Sequence, residues 1–203
     1  SPARDWQLAW VTGGPAVRAR SVQDWLAYVQ RSQPELARQL RDEIPRHTLD
    51  LIDRSPRLGW IPVEHDRYVP EASVRVLGEE LTERLLSEFL PIHLKCPLLE
   101  SLAGAMIRLF GFKPQTFIRL VPLGWRRAYR GCGEIKLLEL QAGFARASFT
   151  DCSPEFLRSP DYLVTWRGVF RGAFQATSTT GEVHLDASVP RRRVAIEWHW
   201  EPS

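Results

Sequence analysis

The hydrophobic pattern of this chain changes period once, and that change limits the folds open to it. Up to about residue 131 apolar residues recur at helical spacing; from Glu134 onward they alternate, apart from one more helical stretch. Glu134 to Leu140 and Phe144 to Thr150, separated by Gln141-Ala142-Gly143, read as a hairpin. Val183, Leu185, Ala187 and Val189, then Val194, Ile196, Trp198 and Trp200, alternate with polar residues and form a second. A turn centred on Arg191 and Arg192 pairs Val189 with Val194, Ala187 with Ile196, Leu185 with Trp198 and Val183 with Trp200, all on one face. Between the hairpins, Ser153-Pro154-Glu155 and Ser159-Pro160-Asp161 are helix starts. The second opens a helix over 160–176 with one face for the sheet, and Gly168 and Gly172 let another element approach closely. The expected class is α+β: an N-terminal helical bundle around a central helix, followed by a ββαββ four-stranded antiparallel sheet.

The central helix is Pro97 to Phe110, closed by Gly111. Leu98, Leu99, Leu102, Ala105, Met106, Leu109 and Phe110 cover more than one stripe, so neighbours pack on several sides. Ser101, Ala103, Gly104 and Ala105 make its middle thin, which suits close packing or an apolar guest. Amphipathic helices are expected over Ser21 to Gln30, from Pro34 to Ile44, and through Leu49 and Ile52. Pro62 opens a helix that holds Tyr68 and Val69. Residues 71–95 carry an apolar stripe broken by Gly78 and Pro91. Gln115 to Val121 is a short helix, and Gly124 to Gly131 leads into the sheet. A length of 203 residues suits one core: an N-terminal arm over 1–20, with Trp6 and Trp10 beside Thr12-Gly13-Gly14-Pro15, then one domain over 21–203. Its helical part is 21–131 and its ββαββ part 132–203. With 44% hydrophobic and 25% charged residues the chain is not disordered. Neither a membrane span nor a signal peptide is visible, so the expected location is cytoplasmic.

Little in the chain points to catalysis. The net charge is only +3, and the arginine groups Arg119, Arg126, Arg127, Arg130 and Arg191 to Arg193 suit solvated loops, so nucleic acid is not an expected partner. Cys96, Cys132 and Cys152 are far apart and lack a Cys-x-x-Cys pair, which disfavours disulfide scaffolding and a zinc ribbon. Cys132, between two glycines, is open to being an exposed thiol with no histidine nearby in sequence. His47, His65 and His93 have no ligand spacing. The terminal register sets His184 opposite His199 and Asp186 opposite Glu197, a weak candidate metal set against a solvated face. No phosphate loop, nucleotide fingerprint or nucleophile elbow is present. A pocket between the central helix, the 160–176 helix and the sheet has Met106, Phe110, Phe117, Trp125, Tyr129, Trp166 and Phe170 as candidate lining, with Arg130, Tyr129 and Tyr162 as polar groups.

The order of parts carries a resemblance: helices, a Leu109-Phe110-Gly111 helix end, Trp125-Arg126-Arg127-Ala128-Tyr129-Arg130-Gly131, a hairpin, the Tyr162 to Gly172 helix and a last hairpin ending in Trp. Over about residues 60 to 200 it resembles an uncharacterised family of paralogous myxobacterial proteins. More distantly it is similar to haem-nitric-oxide-binding and 4-vinyl-reductase-type small-molecule-binding domains. The resemblance implies an α+β sensory or scaffolding module in bacterial signalling. No histidine lies between Phe110 and Gly133, where such a haem domain presents its iron ligand, and no Tyr-x-Ser-x-Arg follows, so no cofactor is expected. No cysteine follows Cys152, so the metal site of the vinyl-reductase type does not carry over. The expected function is a non-catalytic regulatory domain that binds a small apolar ligand or a protein partner. The alternatives are an interaction or assembly module without ligand, which uses the tryptophan-rich N-terminal arm and an apolar surface to form a homodimer or bind a protein partner, and a metal-dependent enzyme at His184, Asp186, Glu197 and His199.

Overall fold

A computed structural model describes residues 14–94 and 113–202. The expected helix Pro97 to Phe110 and the arm up to residue 13 lie outside the described residues. The described chain opens with strand β1 (Ala16–Arg18), which runs directly into α1 (Ala19–Ser32). Val22, Trp25, Leu26 and Val29 recur at helical spacing and bury one face of α1. Helices α2 (Pro34–Glu43) and α3 (Arg46–Arg54) follow, each opened by a proline at or just before its first residue.

Strand β2 (Trp60–Pro62) comes next, then the single turn α4 (Val63–Asp66) and α5 (Tyr68–Leu77). Pro70 lies in the first turn of α5, where its missing N–H costs nothing. Gly78, at φ 77°, ends α5, and α6 (Glu79–Leu94) begins at once. Pro91 is contained within α6 and does not break it.

Helix α7 (Pro114–Ala128) is twice the expected length, continues past Pro122, and leads into β3 (Tyr129–Arg130). β1 is the middle strand of a sheet of order β2-β1-β3, so two segments expected as arm and helix start are paired strands. Val17, Ile61 and Tyr129 share the inward face by register, and Arg18, Trp60 and Arg130 share the other.

The C-terminal part follows the expected ββαββ order. Strands β4 (Glu134–Gln141) and β5 (Phe144–Thr150) form a hairpin with a bulge between Leu137 and Glu139. Helix α8 (Pro154–Arg158) and helix α9 (Pro160–Thr177) start at the two Ser-Pro signals. Strands β6 (Gly181–Ser188) and β7 (Arg193–Trp200) complete a sheet of order β4-β5-β7-β6.

The register of the last hairpin differs from expectation by two residues: Val183 pairs Trp198, Leu185 pairs Ile196 and Ala187 pairs Val194. The turn takes four residues, Val189 to Arg192, with Pro190 at its second position, the Arg192 N–H donating to the Val189 carbonyl at 3.1 Å and Arg192 at φ 48°. A slip of two preserves every residue's face.

Among the described residues two apolar cores result. One lies between α9, α7 and the large sheet, around Phe149, Phe156, Trp166, Ile196 and Trp198. The other joins α1, α2, α5 and α6 around Trp25, Val29, Leu40 and Phe89. Helix α9 lies against α6 with the close approach its glycines allow. A methyl on Gly168 would stand 2.9 Å from the Glu83 backbone, and one on Gly172 would stand 2.6 Å from the Leu90 side chain.

Candidate functional site

Where the two parts meet, a carboxyl is buried among aromatic rings. Asp66 closes α4 on the same side as Val63, three residues earlier, and is only 5% exposed. Its Oδ2 accepts a 2.8 Å hydrogen bond from the phenol of Tyr162 in the first turn of α9, which is 1% exposed. Burial pushes the Asp66 carboxyl up to about 7, and the Tyr162 hydrogen bond offsets only part of that. Tyr162 is held well above the usual phenol range, first by its own burial and then by the Asp66 charge. Burial also raises Tyr129, with Asp66 and Cys132 adding to the effect.

Around this pair the rings are closely packed. Trp125 stacks on Tyr129 with centroids 3.9 Å apart and meets Trp166 edge-on at 5.4 Å. Phe156 contacts Tyr162 at 4.6 Å and Trp166 at 5.1 Å. The Trp125 indole donates to the Gly133 carbonyl at 3.0 Å, whereas the Trp166 indole N–H is buried without a hydrogen-bond partner among the described residues. The Trp166 indole is close enough to the Tyr129 phenol to offset a little of that group's rise, but the two do not reach hydrogen-bonding geometry. A buried donor left unmade costs about 1 to 3 kcal/mol.

Of the sequence candidates, Trp125, Tyr129 and Trp166 are brought into this cluster, and Phe117 belongs to the same core. Phe170 lies farther along α9, where its ring meets Trp198 at 5.6 Å. Arg130 faces away from Tyr129. Its guanidinium lies 5.0 Å from the Trp60 ring, which Arg18 also covers at 3.6 Å. Met106 and Phe110 lie outside the described residues. Cys132, open on sequence to exposure, is 1% exposed, and its thiol donates to the Arg130 carbonyl at 3.1 Å. Burial pushes both Cys132 and Cys152 up to about 12.

Beside the buried pair a cleft of about 470 Å³ opens between α4 and α5 on one wall and α8 and the start of α9 on the other. His47, His65, Arg67, Tyr68, Glu155 and Arg158 are among its lining. The rings of His47 and His65 meet at 5.5 Å, a proximity that their separation along the chain does not signal. His65 Nδ1 lies 3.1 Å from the Thr48 hydroxyl, and burial lowers its basicity.

The His184 and His199 set is rearranged by the observed register. His184 stands opposite Glu197, and His199 opposite Glu182; Asp186 stands opposite Ala195 instead of Glu197. The two imidazoles are diagonal neighbours, 5.4 Å between centroids, on the outer face. Arg146 takes the Glu197 carboxylate at 2.9 Å. Among the described residues no group of three or more His, Cys, Asp or Glu is placed to hold a metal ion.

No described helix is long and apolar enough to cross a membrane. No family model matches the chain, and no curated protein does. Solved structures do match. An H-NOX protein from S. oneidensis in the Fe(II)NO ligation state superposes with a TM-score of 0.59 at 11% identity, over 91% of this chain and 99% of that one. The Fe(II) unliganded H-NOX protein from K. algicida gives 0.57 at 9% identity, over 92% and 97%. A point mutant of T. Tengcongensis H-NOX gives 0.57 at 11% identity, over 91% and 98%. The chain therefore has the fold of these H-NOX proteins, and at this identity the fold is what the match shows.

Proposed function

We propose that this chain is a non-catalytic sensory or regulatory domain that reads a small, largely apolar molecule carrying one hydrogen-bond acceptor, where the helical part meets the ββαββ part. The observation that carries this reading is the Trp166 indole N–H, buried inside a cluster of aromatic rings with no acceptor in hydrogen-bonding geometry among the described residues. An acceptor on an otherwise apolar body meets that need without bringing further polar groups into the core. The fold supports the same reading: one H-NOX neighbour is described in an Fe(II)NO state and another through the mechanism of H-NOX activation.

None of the histidines, cysteines and buried tyrosine whose side chains are described in this part of the chain is placed as a haem ligand; the side chain of His93 and residues 95–112 lie outside the described residues. Haem requires an axial donor facing an enclosed apolar slot. The His47 and His65 imidazoles open on a cleft walled by Glu64, Arg67, Glu71, Glu155 and Arg158, and His184 and His199 lie on the outside of the sheet. Cys132 and Cys152 are protonated buried thiols, and the Tyr162 phenol is engaged by Asp66.

Native mass spectrometry of the chain as isolated tests the proposal. The expected result is an added small-molecule mass whose occupancy falls about tenfold in Trp166→Phe, as loss of one buried donor predicts. Hemin titration is expected to give no stoichiometric complex. A chain with no added mass, an unchanged occupancy in Trp166→Phe, or a one-to-one hemin complex overturns the reading.

A further inference from the structure

The large sheet treats its two edges differently. At β4 the ladder is interrupted by the bulge between Leu137 and Glu139, and Lys136 stands on the strand, both devices that discourage further pairing. At β6 neither is present. Its eight residues pair with β7 without a register shift and include no proline and no lysine, and among the described residues no strand pairs its other side.

The backbone groups on that open side can be identified. The Trp200 N–H donates to the Gly143 carbonyl, on the β5 side, at 3.0 Å, so even-numbered residues of β7 bond toward β5 and odd-numbered ones toward β6. Through the observed register, Glu182, His184, Asp186 and Ser188 bond inward to β7. Val183, Leu185 and Ala187 are left with their N–H and C=O groups facing out. Leu185 and Ala187, on the apolar face, are also only half-buried.

We propose that β6 is the interface for a second copy of this chain, added antiparallel about a two-fold axis at Leu185 so that the two sheets become one. This pairing sets Leu185 against Leu185 of the second copy, Val183 against Ala187, and His184 against Asp186 on the outer face, twice. Neighbouring registers are worse. Centring on His184 sets Asp186 against Glu182, and centring on Asp186 sets that carboxylate against its own copy. Centring on Val183 pairs His184 with Glu182 but shortens the overlap to residues 181–185. The Leu185 register alone pairs the whole strand from Glu182 to Ser188 with an imidazole, and no second carboxylate, opposite each Asp186. Strand addition by itself covers less area than a standard interface, so the association is concentration-dependent. The proposal is independent of ligand binding.

Sedimentation equilibrium of the full chain over a concentration series tests it. The expected result is a monomer–dimer equilibrium that Asp186→Lys weakens about tenfold and that the reciprocal swap His184→Asp with Asp186→His restores. Leu185→Cys provides a second readout. Directly paired Cα atoms at about 5.5 Å lie within disulfide range, so mild oxidation is expected to cross-link that variant and not the parent. A chain that stays monomeric throughout, a dimer indifferent to Asp186→Lys, a swap that fails to restore association, or an absent cross-link overturns the proposal.

Discussion

Asp66 is a carboxyl buried at the junction of the two parts, and the sign of its effect on stability follows from its environment. Burial raises its carboxyl from 3.8 to about 7, so the folded chain holds a proton that the unfolded chain has lost in between. That contribution is fully present below about pH 4, is lost progressively as pH rises to 7, and is flat above. It amounts to on the order of 4 kcal/mol over that window. His65 works in the opposite sense, because a lowered imidazole favours folding as pH rises toward 6.5. Comparison with Asp66→Asn separates the two, since the amide keeps an acceptor for the Tyr162 phenol and cannot ionise. Urea unfolding at pH 5 and pH 8 is expected to show the variant gaining stability relative to the parent mainly at pH 8; an equal difference at both values refutes the assignment. In the sequence Asp66 is visible only as an acidic residue at helical spacing between Val63 and Val69, on the face that should be apolar. Its partner lies 96 residues away, beyond any local pattern.

At the level of elements, what can be read in advance is set by length and period. Strands β4 to β7 and helix α9 are long enough for alternation or helical spacing to declare them, and their order follows the expectation. Strands β1, β2 and β3 have two or three residues each, too few for any period, so the small sheet is illegible in the sequence although it fixes the entry to both parts. The last hairpin shows the limit inside a strong signal. Alternation determines faces but is blind to a slip of two, and here the turn takes four residues with Pro190 at its second position. The Gly168 and Gly172 pair is legible because small residues four apart state their use in sequence. Gly168→Ala puts two known effects in opposition. Relief of backbone entropy in a helix favours alanine by about 0.5 to 1 kcal/mol, whereas overpacking against neighbouring backbone costs about 1 to 3 kcal/mol. The obstacle at 2.9 Å is Glu83 backbone, which cannot rotate aside. Steric cost is expected to win, with a net loss of about 1 to 2 kcal/mol in denaturant unfolding; a stabilised variant would mean that α6 and α9 can separate freely.

For the molecule as a whole, the question is whether its two apolar cores behave as one cooperative unit. They have separate residues but are not separately closed. Tyr129 and Val169 pack against both, and the Asp66–Tyr162 hydrogen bond crosses between the parts. The Glu83 carboxylate, buried on α6, also takes Arg167 and, at 3.3 Å, Arg171 of α9. Breaking the junction therefore strips Asp66 and Glu83 of their partners and bares the rings that surround Tyr129, which no partly unfolded form re-covers. Helix α9 belongs to both sides at once, its Phe170 on the sheet and its glycines on α6. A state with one part folded would leave that helix with a bare face. Urea unfolding followed by far-ultraviolet circular dichroism, which weights the helices, is expected to coincide with tryptophan fluorescence, which reports both Trp25 of one core and Trp125, Trp166 and Trp198 of the other. Two separated transitions would show the parts to be autonomous, and a signal received at their junction would then have no packed path from one to the other.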